Sequence, residues 1–296
     1  MSEVKHRAGF VNIIGNPNAG KSTLMNALMG EKLSIVTPKA QTTRHRIMGI
    51  FNGDDFQIVY SDTPGVLDPK YKLQEGMMKS VGTALTDADL ILLVIDSAEK
   101  KELHAPTLEK IRMTKIPVFV VLNKYDLVGN DGINVVFETW SKELPEAKIF
   151  PVSATEKIHT KELLAQILRV LPDSPPYFPK DEVSDRSVRF FISEIIREKI
   201  FMNYDKEIPY SCEVHIEEYK EEQDIVHISA IIATERESQK RIIIGHLGSM
   251  LKRVGTQARK DMESFIGKKV MLKTHVKVDE NWRDDARKLK NFGYFE

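Results

Sequence analysis

From residue 9 to residue 170, short and strongly apolar runs alternate with amphipathic stretches. The runs at 9–15, 45–51, 56–62, 88–96, 116–123 and 148–152 have the length and composition of buried strands. Leu24, Ala27 and Leu28 follow the first run at helical spacing, and further helical patterns lie near 72–87, 103–114, 132–143 and 160–170. This alternation predicts a parallel sheet with helices on both faces. Ligands of such sheets bind outside the carboxyl ends of the strands.

The pattern changes at residues 171–179, which hold four prolines. Proline cannot continue a helix, so a semi-rigid, extended linker is expected at 173–180. It separates a domain at 1–172 from one at 181–296. In the second domain a helix is expected over 186–203. Cys212, Val214 and Ile216 alternate with Glu213, His215 and Glu217 as a one-sided strand. A hairpin at 219–223, a strand at 224–233 and a short helix at 238–244 follow. A longer helix carries Leu251, Val254, Ala258, Met262 and Phe265 on one face, and a strand over 269–278 closes the domain.

Composition narrows the class. At 296 residues the chain is long enough for two domains, each with its own core. The single cysteine, Cys212, cannot form an internal disulfide, which fits a reducing compartment. No export signal opens the chain and no apolar run is long enough to span a bilayer, so a soluble, cytoplasmic protein is expected. The balance of 43 basic and 43 acidic residues conceals a local asymmetry. Residues 173–235 hold 7 basic and 15 acidic side chains, whereas 236–296 hold 15 and 8. The excess of positive charge in the last segment is an electrostatic footprint for RNA.

The chemistry sits at the predicted strand ends. Gly15-Asn16-Pro17-Asn18-Ala19-Gly20-Lys21-Ser22 reads G-x-x-x-x-G-K-S between a strand and a helix, the context of a P-loop. Its backbone N–H groups would cradle phosphates, Lys21 would reach the β- and γ-phosphates, and Ser22 would hold Mg²⁺. Asn16, Pro17, Asn18, Ala19, Gly20 and Thr23 complete the expected nucleotide contacts. Asp62-Thr63-Pro64-Gly65 ends the third strand. Asp62 suits the carboxylate that holds Mg²⁺, and Gly65 the N–H that meets the γ-phosphate. In 36–46, a threonine hydroxyl would complete the metal shell. Thr42 and Thr43 both qualify, with Thr43 preferred.

Asn123-Lys124-Tyr125-Asp126 ends the fifth strand. The Asp126 carboxylate can accept two hydrogen bonds from guanine N1–H and N2–H₂, a donor pair that adenine lacks. Ser153 and Ala154, after the last strand of the domain, would add a backbone N–H for guanine O6. Together these motifs resemble the Ras-like GTPases of the translation-factor class. Val66 stands where the Ras pattern has the glutamine that orients water, so intrinsic hydrolysis is expected to be slow. No residue is assigned as catalytic. In relatives of this kind the residue matching Asn18 helps hold a potassium ion, which makes K⁺ a second candidate cofactor beside Mg²⁺.

A second signal is Gly245-His246-Leu247-Gly248 between two helices. Paired glycines allow close approach of backbone to a nucleic-acid phosphate. Lys240 and Arg241 precede the turn, and Lys252 and Arg253 follow it. The element order is similar to a type II KH domain, an α+β fold. The aromatic residues among charges at 282–294 suit either packing on that domain or flanking RNA.

An α/β Ras-like GTPase domain followed by a KH domain resembles the Era family of bacterial ribosome-assembly GTPases over nearly the whole chain. The resemblance implies GTP and GDP as ligands, binding to the 3′ end of 16S ribosomal RNA on the 30S precursor, and a monomer. It also implies peripheral contact with the inner membrane. A switch that reads out to a protein or a membrane through the KH fold is the alternative.

Overall fold

The computed structural model describes residues 6–99 and 101–295. The chain divides into two compact units, Met1–Lys70 with Gln74–Asp185, and Tyr71–Leu73 with Arg186–Glu296. In chain order the first part contains β1 (Arg7–Gly15), α1 (Lys21–Met29), β2 (Ile47–Asn52), β3 (Phe56–Asp62), α2 (Lys72–Ala84) and β4 (Leu90–Asp96). It continues with α3 (Ala105–Met113), β5 (Val118–Asn123), α4 (Tyr125–Glu143), β6 (Lys148–Pro151) and α5 (Thr160–Val170).

The six strands form one sheet in the order β2-β3-β1-β4-β5-β6. Only β2 runs antiparallel to its neighbour, and the other pairs are parallel. Successive residues of a strand face opposite sides, so continuously apolar strands fill two cores. Val11, Ile13, Leu92 and Val121 meet α1 and α5 through Leu24, Leu28, Leu163 and Ile167. Ile14, Leu93, Val120 and Leu122 meet the other layer through Val81, Ile111, Ile133 and Trp140. The expected helix at 132–143 is the second half of α4. That helix begins earlier and breaks at Gly129, whose backbone is non-helical (φ 63°, ψ −171°).

The second part contains α6 (Val188–Asn203), α7 (Ile208–Ser211), β7 (Cys212–Glu221), β8 (Ile225–Thr234) and α8 (Glu237–Ile244). A 3-10 turn (His246–Gly248), α9 (Ser249–Ile266), β9 (Lys269–Val278) and α10 (Ala286–Asn291) follow. The strand order is β7-β8-β9, with β7 antiparallel and β9 parallel to β8. Ile196, Ile200, Ile228, Ile232, Val254, Ala258 and Met262 share its core. The hairpin lies further along than expected. A register shift between Ile216 and Glu218 lets β7 continue to Glu221, and Glu222 N–H then meets the Ile225 carbonyl at 2.9 Å.

The proline-rich segment, expected as a semi-rigid, extended linker at 173–180, falls within the first unit. It lies along the β2 and β3 end of the first unit. Ile50 N–H donates to the Val183 carbonyl at 3.0 Å, and Ser184 Oγ to the Met48 carbonyl at 2.6 Å. The edge strand β2 thus donates one backbone hydrogen bond to the segment and accepts one from it. The fully buried Gln57 anchors the segment at Tyr177 and Phe178. Its amide nitrogen donates to Asn52 Oδ1 and the Phe178 carbonyl, both at 2.8 Å, and its oxygen accepts from Tyr177 and Phe178 N–H at 2.7 and 3.0 Å. Gln57→Leu is expected to destabilise the protein by about 2–3 kcal/mol in chemical denaturation, because it strands those backbone groups.

The carboxyl-terminal tail packs on its own domain. Trp282 is fully buried and donates from Nε1 to the Ser211 carbonyl at 3.1 Å. Phe292 stands edge-on to Trp282 and lies 5.6 Å from the His215 ring. Tyr294 Oη donates to Glu213 Oε2 at 2.5 Å. Among the described residues, no helix is long and apolar enough to cross a membrane.

Candidate functional site

The Gly15–Ser22 loop joins β1 to α1 at the carboxyl edge of the sheet. Gly20 takes a left-handed conformation (φ 94°), and a Cβ there would lie 2.1 Å from Asn123 Nδ2. Only glycine fits between the loop and that amide. The first N–H groups of α1 face this loop without intrahelical partners. Lys21 is buried and donates to the Asn16 carbonyl at 2.9 Å. Burial lowers its pKa to about 8, against the opposing pull of Asp62.

Three hydroxyl and carboxylate groups from three segments converge beside it. Ser22 Oγ lies 2.8 Å from Thr43 Oγ1 and donates to Asp62 Oδ2 at 2.6 Å. Asp62 is fully buried, and its Oδ1 has no hydrogen-bond partner among the described residues. Burial pushes its pKa up, while the Ser22 hydroxyl and the Lys21 ammonium act the other way. An orphaned carboxylate oxygen beside two hydroxyls is a donor set for a hard divalent cation. The two threonine hydroxyls have different partners. Thr42 Oγ1 is taken up within its own turn, 2.6 Å from Thr37 Oγ1 and donating to the Lys39 carbonyl at 2.7 Å.

A cavity of about 420 Å³ opens over this cluster, lined by Pro17, Asn18, Lys21, Thr23, Thr43, Gly65 and Lys124 among others. Asn16 turns from it to donate to the Glu102 carbonyl at 3.0 Å. Asn18, with positive φ, donates to the Pro38 carbonyl at 3.1 Å and so touches the 36–46 segment. Val66 does not line the cavity. It is buried among Ile14, Val81 and Leu93, and its N–H holds the Gly15 carbonyl at 3.1 Å.

Asn123 binds the second cluster of motifs to the first. Its Nδ2 donates to the Ala19 carbonyl at 2.9 Å, and its Oδ1 accepts from Ala154 N–H at 3.0 Å. Lys124 adopts a left-handed backbone, and its ammonium is held by Asp96. Asp126 lies exposed in the first turn of α4. The expected Ser153 and Ala154 donors are already engaged. Ser153 N–H meets the Ile158 carbonyl at 3.2 Å, and Ala154 N–H serves Asn123. A base carbonyl approaching this loop must share or displace one of them. Asp96 escaped the sequence reading, although its signal was present: like Asp62, it is a carboxylate at the end of an apolar strand.

The second site is the turn between α8 and α9. Gly245 has φ 72°, and a Cβ there would lie 2.7–2.8 Å from the Met250 side chain. Leu247 projects from the turn, 93% exposed, and His246 is exposed beside it. Arg241, Lys252 and Arg253 are exposed around it, while Lys240 is half-buried and lies 3.8 Å from Glu237. Gly248 has open space where a side chain would start.

Comparison with known proteins agrees with this geometry. A family model described as 50S ribosome-binding GTPase matches residues 10–124, and one described as KH domain matches 207–283. GTPase Era of Leuconostoc citreum is 41% identical over 302 residues, covering 100% of this chain and 99% of its own. GTPase Era of Lacticaseibacillus paracasei is 43% identical over 99% of this chain and 98% of its own. Among solved structures, Era in complex with MgGDPNP and nucleotides 1506–1542 of 16S ribosomal RNA superposes with a TM-score of 0.94. That match is 37% identical and covers 98% of this chain and 100% of the other. With a P-loop domain, a KH domain and this end-to-end likeness, the chain belongs to the Era family of GTPases.

Proposed function

We propose that the protein is a GTP-hydrolysing switch that binds 16S ribosomal RNA near its 3′ end and assists assembly of the 30S subunit in the cytoplasm. The observation that carries this reading is the full-length likeness to an Era structure that holds both a GTP analogue and that RNA. In this reading the loop from Asn16 to Thr23 wraps the phosphates, with Lys21 on the β- and γ-oxygens. Asp126 reads the guanine edge, Lys124 lies against the base, and Ser153 and Ala154 close that side. Ser22, Thr43 and Asp62 hold Mg²⁺, which when bound neutralises charge on the phosphate oxygens. Gly65 orients the γ-phosphate.

Val66 is apolar and faces the core, so it positions no water. Hydrolysis then depends on another group. Asn18 is the candidate ligand for K⁺, supported by its place between the P-loop and the Pro38 carbonyl. Faster turnover in potassium than in sodium is the expected result, and equal rates remove that role. The Gly245–Gly248 turn, with Lys240, Arg241, Lys252 and Arg253, is the RNA surface. Contact with the inner membrane would be peripheral.

Lys21 supplies a pH signature. Nearby phosphates favour its charged form, so binding raises its pKa above about 8. Below that range both states are protonated. Above it, nucleotide binding takes up a proton and affinity falls as pH rises. Calorimetry in two buffers of different ionisation enthalpy is expected to show uptake near pH 9, and none for Lys21→Met.

The decisive test is binding of an RNA matching the 16S 3′ end, with GTP analogue against GDP. Tighter binding with the analogue is expected, and no binding in either state shifts the reading to a protein or membrane partner. Lys252→Glu with Arg253→Glu is expected to lower RNA affinity at least about tenfold and leave nucleotide affinity unchanged. Gly245 is the poorer probe, because a side chain there collides with Met250 and deforms the turn.

A further inference from the structure

Arg46 closes the 36–46 segment and leads into β2. Its guanidinium reaches three other segments at once. Nη1 and Nη2 donate to Asp87 Oδ2 and Oδ1 at 2.6 and 3.0 Å. Nε donates to Ser61 Oγ at 2.5 Å, and Nη2 also to Asn12 Oδ1 at 3.3 Å. Asn12, fully buried in β1, donates in turn to the Ala84 carbonyl and to Asp87 Oδ1, both at 2.7 Å. Asp87 follows the end of α2, the helix after Asp62-Thr63-Pro64-Gly65. Ser61 immediately precedes Asp62, and β1 runs into the P-loop.

A guanidinium and a carboxylate that meet through two parallel bonds fix orientation as well as distance. The Arg46 side chain is 10% exposed and that of Asp87 41%, so the clamp is sheltered from the arginine side. Only Arg44 and His45 separate this anchor from Thr43, and both are buried. At about 3.3–3.6 Å of reach per residue, so short a tether leaves Thr43 little freedom. We infer that the Arg46–Asp87 clamp is a positioning device that holds the Thr43 hydroxyl at Ser22 and Asp62, and thereby selects the triphosphate over the diphosphate state. The inference rests on the reading of Thr43 as a metal ligand needed with GTP and not with GDP. Neither clamp residue lines the cavity over Ser22 and Thr43, so the expected effect is one of state preference.

Fluorescent GTP-analogue and GDP titrations of the full chain test this. Asp87→Asn keeps the shape and removes the charge. Arg46→Lys keeps the charge and removes the fork. Each is expected to weaken the analogue about tenfold, a change of about 1.4 kcal/mol, with GDP affinity within about twofold. Arg46→Ala combined with Asp87→Ala is expected to lose clearly less than the sum of the two single losses, since the forked contact between them is shared. Parallel loss of both nucleotides shows a merely structural role and overturns the inference, as does an unaltered ratio. Thr43→Ala separates the two layers. If it leaves the ratio unchanged, the role of Thr43 falls and the clamp with it. If it lowers the ratio while Asp87→Asn does not, the clamp alone falls.

Discussion

Asp126→Asn is expected to lower GTP affinity by at least about a hundredfold and to raise affinity for xanthosine triphosphate by a similar factor. In the proposed role the carboxylate would accept from guanine N1–H and N2–H₂, and hydrogen bonds to a charged group contribute about 1.5–3 kcal/mol each. An amide presents a donor where the purine also presents one, so the pair repels. Xanthine carries a carbonyl in place of the N2 amine, and the amide introduced by the substitution can donate to it. The structure makes the experiment clean. Asp126 is exposed in the first turn of α4, and Asn123, not Asp126, holds the loop to Ala19 and Ala154. Competition between the two triphosphates for a fluorescent nucleotide reads the switch. An unchanged preference for guanine would sink the role given to Asp126.

The second large effect is on stability. Arg197 is fully buried in α6, forked onto Glu194 through Nε and Nη2, with its guanidinium 5.3 Å from the Phe201 ring centre. Burial alone would lower its pKa, and Glu194 together with Tyr294 and Glu213 more than reverses that, so it stays charged. Glu213, 4% exposed and bonded to Tyr294, adds to the same field. Arg197→Leu leaves Glu194 as an uncompensated charge in the interior, a loss of about 4 kcal/mol. Adding Glu194→Leu is expected to recover most of it, because both members of the forked pair are then gone. Urea unfolding followed by Trp282 fluorescence, in a Trp140→Phe background, measures both variants. A loss under about 1 kcal/mol for the single change would mean that the pair carries little stability.

The Era assignment changes what Val66 means. A Ras-type site places a water-orienting amide at that position. Here the side chain is part of the core between β1 and α2. In the proposed function, hydrolysis therefore draws on a group from outside the D-T-P-G segment. That makes the segment 36–46, and whatever positions it, the natural place for control.

Much of this protein could be read before any coordinates. Continuous apolar runs, one alternating strand and period-3.6 patterns marked most strands and helices, because burial acts on neighbouring residues of one element. The P-loop, Asp62-Thr63-Pro64-Gly65 and Asn123–Asp126 stood out because each is a short local segment whose backbone chemistry needs those residue types in that order. Other features had no such signature. Thr42 and Thr43 are adjacent and chemically alike, and only the path of the chain gives one to Lys39 and the other to Ser22 and Asp62. The Ser153 and Ala154 N–H groups are engaged by Ile158 and by the distant Asn123. The proline-rich segment met a sheet edge more than a hundred residues earlier in the chain. The aromatic tail met Ser211, Glu213 and His215. Arg46 found Asp87 across the sheet. These are pairings between distant segments, and their free energy depends on where the whole fold brings each segment, so no local pattern in the amino-acid order announces them.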